Sequence, residues 1–295
     1  MNVKSVNSSA TKRAVLVTGA SSGIGNAAAL YLAEKGFMVF AGVRKEQDRK
    51  KIQSLGIPNL ISLYPLDLTN LNDVADTSSF LSFYLHNNNL KGLFGIVNVA
   101  GGGSIAPIEL LNLNGLENEL KTRILGPVAL LQSLLPLIRD AKGRILWIAT
   151  PATIPSPFLT DIHACDFAVN FIVRTLKIEL LKWNIPAILI RCGGIKTSSP
   201  ERTMKVLKEA VKKWPEEKYL LYKDALDREM DELKEFDKKR TEPLEVAKVI
   251  YNALTDKKPK RRYRVGYMSG FAAFLELFPQ PIVDYILERK YRYLN

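Results

Sequence analysis

The sequence predicts an α/β protein with a doubly wound parallel sheet flanked by helices, in a single domain with a helical C-terminal extension. Apolar runs alternate with helical patterns along most of the chain, which is typical of parallel βαβ units. In addition, residues 18–25 read Thr-Gly-Ala-Ser-Ser-Gly-Ile-Gly, between an apolar run at 14–17 and a helical pattern at 26–35. A glycine-rich turn in this strand–turn–helix setting predicts a phosphate-binding loop.

Strands and helices alternate in a regular order. The predicted strands are 14–18, 37–43, 60–66, 94–98, 144–149 and 187–191. The predicted helices are 24–35, 46–54, 71–86, about 113–138, about 161–182 and 243–254, with a charged helical excursion at 200–240 over the cleft. This order predicts a Rossmann-type sheet, in which ligands bind beyond the carboxyl ends of the strands. Gly19, Asn98, Thr150 and Gly193 are expected to converge there.

Length and composition bound the class of protein. A chain of 295 residues can bury the core of one large domain, which we assign to 13–255, between a flexible arm at 1–12 and an extension at 256–295. Two cysteines cannot form a disulfide framework, so the cytoplasm or another reducing compartment is expected. No apolar run reaches the roughly 18 residues of a membrane span. The Ser-rich arm leaves an organellar address open.

The glycine loop has a physical role for each of its glycines. Gly19 permits the tight turn, Gly23 lets the backbone approach a pyrophosphate, and Gly25 lets the following helix pack against the strand. The helix N-terminus offers N–H groups and a partial positive charge to the phosphates. A glycine-rich turn with no ligand is the alternative. The loop residues expected to contact a nucleotide are Gly19, Ser21, Ser22, Gly23, Ile24 and Gly25.

The spacing Gly-x-x-x-Gly-x-Gly resembles the short-chain dehydrogenase/reductase family, in particular its branch that acts on steroids, retinoids and 3-hydroxybutyrate. Similar motifs cover nearly the whole chain, at 67–69 (Asp-Leu-Thr), 98–101 (Asn-Val-Ala-Gly) and 191–197 (Arg-Cys-Gly-Gly-Ile-Lys-Thr). Val99 and Cys192 depart from the family pattern. The resemblance implies further nucleotide contacts from Asp67, Leu68, Asn98, Ala100, Gly101, Gly193 and Thr197.

Arg44 follows the second predicted strand, where NAD-dependent proteins carry an acidic residue that binds the ribose 2′-hydroxyl. A guanidinium instead suits a 2′-phosphate, through charge-assisted hydrogen bonds. We therefore expect NADP(H) to be favoured over NAD(H), with a surface arginine that binds no ligand as the alternative. The chain has two histidines, His86 and His163, and no Cys/His ligand spacing. The sequence thus gives no support for a metal site.

The acid–base residues of the family are replaced in this chain. In the family, a Tyr donates a proton to the carbonyl, and a Lys four residues later lowers the pKa of that Tyr and holds the nicotinamide ribose. The family motif Tyr-x-x-Ser-Lys-Phe-Ala resembles residues 162–168, Ile-His-Ala-Cys-Asp-Phe-Ala. The Tyr position therefore holds Ile162, which has no transferable proton. The Lys position holds Asp166, which reverses the local charge.

Two further family positions are an Asn, which falls on Arg123, and a Ser. The strand register places the Ser at Thr150, which keeps a hydroxyl, whereas counting back from Ile162 places it at Ala149. Arg123 and Asp166 are expected to pair, because a guanidinium offsets the desolvation of a buried carboxylate. An Asp166 that faces solvent is the alternative.

Three hypotheses of function follow. The first is a pseudoenzyme, a nucleotide-responsive binding or assembly subunit that has lost reductase chemistry, since losing a general acid costs roughly 10²–10⁴ in rate. The second is a repurposed isomerase, lyase or cyclase that acts on an apolar substrate. The third is an NADP-dependent oxidoreductase of lipid, steroid or retinoid carbonyls with an atypical proton donor, for which His163 is a candidate.

Half of the formal net charge of +12 lies in the last 39 residues, where nine Lys/Arg stand against three acids. In the segment 257–287 a basic cluster precedes an apolar, Pro-interrupted stretch, which is typical of a membrane-surface contact or of a flap over a lipophilic pocket. Packing on the domain itself or on a partner is the alternative. No nucleic-acid-binding module is recognisable. The resemblance implies a homodimer or homotetramer, formed through the helices at 113–138 and 161–182.

Overall fold

The computed structural model describes residues 13–151 and 154–292, so the predicted arm at 1–12 lies outside the described residues. Within the described ranges, seven parallel strands form one sheet in the order β3-β2-β1-β4-β5-β6-β7. The chain starts in the middle of the sheet and reaches both edges, which confirms the doubly wound α/β fold. The strands are β1 (Ala14–Val17), β2 (Met38–Gly42), β3 (Leu60–Leu63), β4 (Leu93–Asn98), β5 (Arg144–Ala149), β6 (Ala187–Cys192) and β7 (Arg262–Val265).

Helices connect the strands and cover both faces of the sheet. They are α1 (Gly23–Glu34), α2 (Glu46–Gln53), α3 (Leu71–Asn87), α4 (Leu113–Leu120), α5 (Gly126–Asp140), α6 (Thr160–Glu179), α7 (Ser199–Val211), α8 (Glu216–Asp237), α9 (Pro243–Thr255), α10 (Ser269–Leu275) and α11 (Gln280–Arg292). On one face, α3, α5 and α6 bury Leu81, Leu134 and Val173. On the other, α1 and α9 bury Leu32 and Ile250. Because both faces are covered, β1 and β2 consist entirely of apolar residues and glycine.

The predicted long helix at 113–138 is interrupted. Between α4 and α5, residues Lys121–Leu125 form a π-helical turn that contains Arg123. Pro127, in the first turn of α5, lacks the N–H that would bind the Arg123 carbonyl in a continuous α-helix. This favours the wider turn, of a kind frequent at functional sites. The predicted strand at 60–66 ends at Leu63, since Pro65 has no N–H for the ladder.

The seventh strand was missed by the sequence analysis. β7 pairs in parallel with β6, from Leu189↔Arg262 to Cys192↔Val265. Only four residues long, it carries exposed arginines at 262 and 264 around the buried Tyr263. A short, charged strand of this kind is typical of a protected sheet edge. The boundary that we placed at 255 therefore does not mark the end of the sheet.

A buried ion pair fixes the C-terminal helices to the sheet. Arg191 of β6 is 3% exposed and pairs with Glu276, which directly follows α10. Around this anchor, α10, α11 and the residues between them expose several large apolar side chains, namely Phe271, Phe274, Leu277, Ile282, Tyr285 and Ile286. Among the described residues, no helix is long and apolar enough to cross a bilayer. Membrane-surface contact through 257–287 remains a prediction.

The charged excursion at 200–240 consists of α7 and α8. Their inner faces bury Leu207, Leu226 and Met230 against Ile105, in a small apolar cluster of its own. Their outer faces carry ion pairs such as Lys223–Asp227. Most of the charges therefore lie on the solvent side of the two helices, as expected for amphipathic helices, with Glu229 of α8 as a buried exception.

Candidate functional site

The glycine loop is held between the ends of β1 and β4. Gly19 has φ +65°, a conformation that favours glycine, and a Cβ there would lie 2.9 Å from the Cα of Ala100. The Thr18 hydroxyl accepts hydrogen bonds from the N–H groups of Val99, at 3.1 Å, and Ala100, at 3.4 Å. A Cβ on Gly25 would collide with the Gly19 carbonyl oxygen. Any side chain at position 25 would therefore force α1 away from the loop.

The first turn of α1 faces this cleft. Ser22 occupies the N-cap position and its side chain makes no capping hydrogen bond. The N–H groups at the start of the helix are thus suited to bind an anion. Ser21, Ser22 and Ile24 are partly exposed, and a Cβ on Gly23 would lie 3.0 Å from the methyl group of Thr197.

Thr197 and Gly193 lie on the opposite wall of the cleft, after β6. The Thr197 hydroxyl accepts a hydrogen bond of 3.2 Å from the N–H of Ser199 at the start of α7. Gly193 packs directly against the carbonyl group of Tyr267. The structure therefore brings Thr197 to the glycine loop, as the family resemblance implies. Gly193 contacts the segment after β7.

The residues predicted to bind the adenosine end lie after β2, β3 and β4. Arg44 is exposed. Asp67 is partly buried, and its Oδ1 accepts hydrogen bonds from the N–H and the hydroxyl of Thr69, at 2.9 and 2.8 Å. Leu68 is 3% exposed, and Asn98 is also 3% exposed. The Oδ1 atom of Asn98 is buried and has no partner among the described residues.

Arg123 and Asp166 form an ion pair, as predicted. Arg123 Nη1 donates to Asp166 Oδ1 at 2.8 Å, and Asp166 is 1% exposed, which rules out the solvent-facing alternative. Glu119 Oε2 accepts from Arg123 Nε at 2.9 Å. Burial opposes the charged guanidinium, but the carboxylates of Asp166 and Glu119 outweigh it and raise the pKa of Arg123. Sequence reasoning missed Glu119, although its i,i+4 spacing to Arg123 is the usual signal.

The same group of side chains holds the loop after β4. Arg123 Nη2 donates to the Gly102 carbonyl at 2.6 Å, and Glu119 Oε2 accepts from the Gly102 N–H at 3.0 Å. The second oxygen of Asp166 accepts from the Thr150 N–H at 2.8 Å. The Thr150 hydroxyl is buried without a partner among the described residues. Arg123 thus connects α4, α6 and the ends of β4 and β5.

Comparison with known proteins identifies the family. The family model described as short chain dehydrogenase matches residues 13–207. This chain belongs to the short-chain dehydrogenase/reductase family. It has the family's NAD(P)-binding fold, and the resemblance to the steroid dehydrogenase branch is confirmed by relatives of that kind.

Two curated relatives are each about one-third identical to this short-chain dehydrogenase/reductase chain. Human 11-beta-hydroxysteroid dehydrogenase type 2 is 30% identical over 286 residues, which cover 90% of this chain and 67% of that protein. The 3-amino-tetrahydro-pyrrolizinone reductase of Xenorhabdus hominickii is 31% identical and covers 87% of each chain. Among solved structures, a short chain dehydrogenase from Burkholderia cenocepacia in complex with NADP superposes with a TM-score of 0.70 at 18% identity, over 95% of this chain and 97% of that one.

Ile162 lies where the family has the Tyr hydroxyl that faces the substrate. Its side chain and that of the neighbouring Asp161 contact the loop after β4. Ile162 packs so closely on Gly103 that a Cβ there would collide with its side chain. Asp161 is 1% exposed, and its Oδ2 accepts from both the N–H and the hydroxyl of Ser104, at 2.7 Å each. The position of the family Tyr is thus filled by an apolar contact.

The other reactive groups near the site are held in unreactive forms. Burial raises the pKa of Cys165 to about 11 and that of Cys192 to about 12, so both thiols stay protonated at neutral pH.

Among residues 13–151 and 154–292, no group of three His, Cys, Asp or Glu side chains is placed to hold a metal ion.

His163, the alternative proton donor of the sequence analysis, is largely buried. Burial lowers its pKa from 6.5, opposed by the carboxylate of Asp166 and by a hydrogen bond to the backbone of Ile154. Its Nδ1 atom is buried without a partner among the described residues. The ring is therefore held as a neutral imidazole against the loop after β5.

This burial predicts a pH dependence of stability. Since the pKa of His163 is lower in the folded protein than its ordinary value of 6.5, the unfolded chain binds a proton first as the pH falls. The free energy of unfolding should then decrease from about pH 6.5 down to the folded pKa. Thermal unfolding of wild type and His163→Gln across this range measures it, with His86→Gln as the matched control. The same pH slope in wild type and His163→Gln would contradict the prediction.

Proposed function

We propose that this chain is a nucleotide-binding member of the short-chain dehydrogenase/reductase family that lacks the Tyr/Lys reductase chemistry and acts as a binding or assembly subunit. The observation that carries the proposal is the state of Asp166. It takes the position of the family Lys, yet both of its oxygens are engaged, by Arg123 and by the Thr150 N–H. A group held in this way offers neither a cation nor a donor to a ribose.

Proton transfer fails for a separate reason. A phenol has a pKa near 10, so a family Tyr needs a neighbouring ammonium to reach a useful value. Ile162 carries no transferable proton. The charged side chains around it are three carboxylates and one cation, namely Asp161, Asp166, Glu119 and Arg123. The phosphate end of the cleft, by contrast, fits a nucleotide, because Gly19 and Gly25 form the turn and the first N–H groups of α1 face it.

The proposal is tested by titrating purified protein with NADPH, followed by nucleotide fluorescence and by thermal shift, and then by a screen of carbonyl substrates. Saturable binding with no NADPH consumption supports it. Turnover at ordinary family rates overturns it, as does the absence of any nucleotide binding.

We further propose that the nucleotide is NADP(H) rather than NAD(H), because the exposed Arg44 follows β2 where the ribose 2′-position is expected. The substitution Arg44→Asp should weaken NADPH binding by at least tenfold while changing NADH binding much less, since it replaces a cation with an anion. Lys51→Asp, an equal charge change on the exposed side of α2, is the matched control. Equal affinities of the wild type for NADPH and NADH would remove the basis of this prediction.

We propose a homodimer formed through α6 and the π-helical turn before α5. Phe167, Phe171 and Ile178 are 46%, 49% and 72% exposed and follow one another along α6, and Leu125 of the turn is 57% exposed. Apolar side chains in a row on a helix surface favour a protein partner. Leu130, by contrast, lies in the core of the chain itself.

The substitution Phe171→Glu should convert a dimer to a monomer, because it places a charge in the middle of this row. Light scattering at micromolar concentration measures the change. Phe83→Glu, at a 67% exposed position on α3, is the matched control and should leave the dimer intact. A wild-type protein that is strictly monomeric under these conditions would contradict the proposal.

A second candidate function is an oxidoreductase with an atypical proton donor. It is supported by the relatives, whose names describe hydroxysteroid dehydrogenases and a reductase. In that case His163, which directly follows the position of the family Tyr, is the candidate proton donor. The carbonyl screen separates the two candidates, since only this one consumes NADPH.

A further inference from the structure

Every residue of the loop from Gly101 to Ser104 is engaged by a side chain from α4, α6 or the turn between α4 and α5. The Arg123 guanidinium lies against Gly101, where a Cβ would be 2.7 Å from Cζ. The contacts of the next three residues follow in order, with Arg123 and Glu119 on Gly102, Ile162 on Gly103 and Asp161 on Ser104. We call these four loop residues and four side chains, together with Asp166, which pairs with Arg123, the β4 clamp.

The β4 clamp lies in one particular half of the nucleotide cleft. In a doubly wound sheet a dinucleotide crosses the point where the strand order reverses, with one nucleotide on each side. Here that point lies between β1 and β4. Arg44 and Asp67 follow β2 and β3, on the adenosine side. The clamp residues follow β4 or lie against the end of β5, on the side where the second nucleotide would lie.

The charged side chains of the clamp are engaged with one another or with the backbone of the loops that they contact. The Nε, Nη1 and Nη2 atoms of Arg123 donate to Glu119, Asp166 and the Gly102 carbonyl. Both oxygens of Asp166 are already acceptors. A ribose hydroxyl that replaced one of these partners would break a charge-assisted hydrogen bond within a largely buried group, at a cost that an ordinary hydroxyl contact does not recover.

We propose that the cleft binds its nucleotide through the adenosine diphosphate half alone, and that the nicotinamide riboside half contributes nothing to affinity because the β4 clamp occupies its place. This inference rests on the proposed function and narrows its ligand class to adenosine diphosphate derivatives with or without a 2′-phosphate. It makes the chain a sensor of the adenine nucleotide pool rather than of the redox state of nicotinamide.

Calorimetric titration of the full chain tests the inference with four ligands, NADP⁺, NADPH, 2′-phospho-ADP-ribose and 2′-phospho-ADP, and with the same series lacking the 2′-phosphate. We expect dissociation constants that agree within about threefold along each series, and equal binding of NADP⁺ and NADPH. Binding of NADP⁺ or NADPH at least tenfold tighter than 2′-phospho-ADP-ribose would overturn the inference and leave the proposed function standing. No binding by any ligand would overturn both.

Hydrogen exchange on the wild-type protein gives a second measurement that needs no variant. With saturating NADP⁺, the amides of the glycine loop at 19–25 should gain protection, whereas those of the clamp loop at 101–104 should not change. Added protection at 101–104 that appears with NADP⁺ and not with 2′-phospho-ADP would show nicotinamide contacts and overturn the inference. The variant Arg123→Asn/Asp166→Lys, which removes the clamp's central pair, should restore tighter binding of NADP⁺ over 2′-phospho-ADP-ribose.

Discussion

Wild-type protein is expected to reduce no steroid, retinoid or medium-chain ketone faster than about 1 s⁻¹, near the low end of ordinary enzymes. The absence of a general acid at Ile162 accounts for a loss of roughly 10²–10⁴ in rate. The clamp adds to that loss, since Asp166 is held by Arg123 and Thr150 and cannot position a ribose. NADPH consumption against a carbonyl panel measures the rate.

Rescue should need three substitutions together: Ile162→Tyr, Asp166→Lys and Arg123→Asn. Tyr at 162 supplies the proton, and Lys at 166 is needed to lower the pKa of that phenol. Arg123 must change as well, because an ammonium at 166 would otherwise lie beside the guanidinium where the carboxylate now is, 2.8 Å from Nη1. We expect the triple variant to gain at least tenfold in rate, and Ile162→Tyr alone to gain little, since Ile162 now packs on Gly103.

The matched control replaces the same three positions with Phe instead of Tyr at 162. It has nearly the same shape and the same charges but no transferable proton, so it should stay inactive. Equal activity of the Phe and Tyr triple variants would show that the phenol is not the donor. Wild-type turnover above the stated rate would show that another group, with His163 the first to examine, has taken the acid role.

The sequence predicted the structure best at positions where a particular residue type is required by the backbone or by a buried charge. The glycine loop between an apolar run and a helix predicted the fold, because few other backbones need glycine at 19, 23 and 25 together. The Arg123–Asp166 pair was predictable for a similar reason. A buried carboxylate needs a partner, and the family resemblance placed the two positions side by side.

Other features depended on packing that no local pattern reports. β7 is short and alternates arginine with apolar residues, so its sequence has neither the length nor the hydropathy of a central strand. Its place is set by pairing with β6. The role of Glu119 is similar, because its contact with the Gly102 N–H joins α4 to a loop 17 residues earlier in the chain.

The central pair of the clamp should also matter for stability. Removing Arg123 leaves Asp166, which is 1% exposed, as a buried carboxylate without its cation. The same change removes the hydrogen-bond donor of Glu119 and of the Gly102 carbonyl. Breaking a buried ion pair in this way typically costs about 3–5 kcal/mol. We therefore expect Arg123→Leu to lower the free energy of unfolding by that amount, and Tm by on the order of 10 °C.

A double-mutant cycle separates the pair from the packing of its side chains. In the Arg123→Leu background, Asp166→Asn removes the unpaired charge, so the double variant should be more stable than Arg123→Leu alone, with a coupling energy of about 1–3 kcal/mol. Arg49→Leu is the matched control, because Arg49 bonds Glu46 through two nitrogens on the surface of α2, where solvent screens the pair and little change in Tm is expected. Losses from Arg123→Leu and Asp166→Asn that simply add would mean that the two side chains stabilise the fold independently. In that case the main role of the Arg123 guanidinium would be its contact with Gly102. It would then stabilise the loop after β4 rather than Asp166.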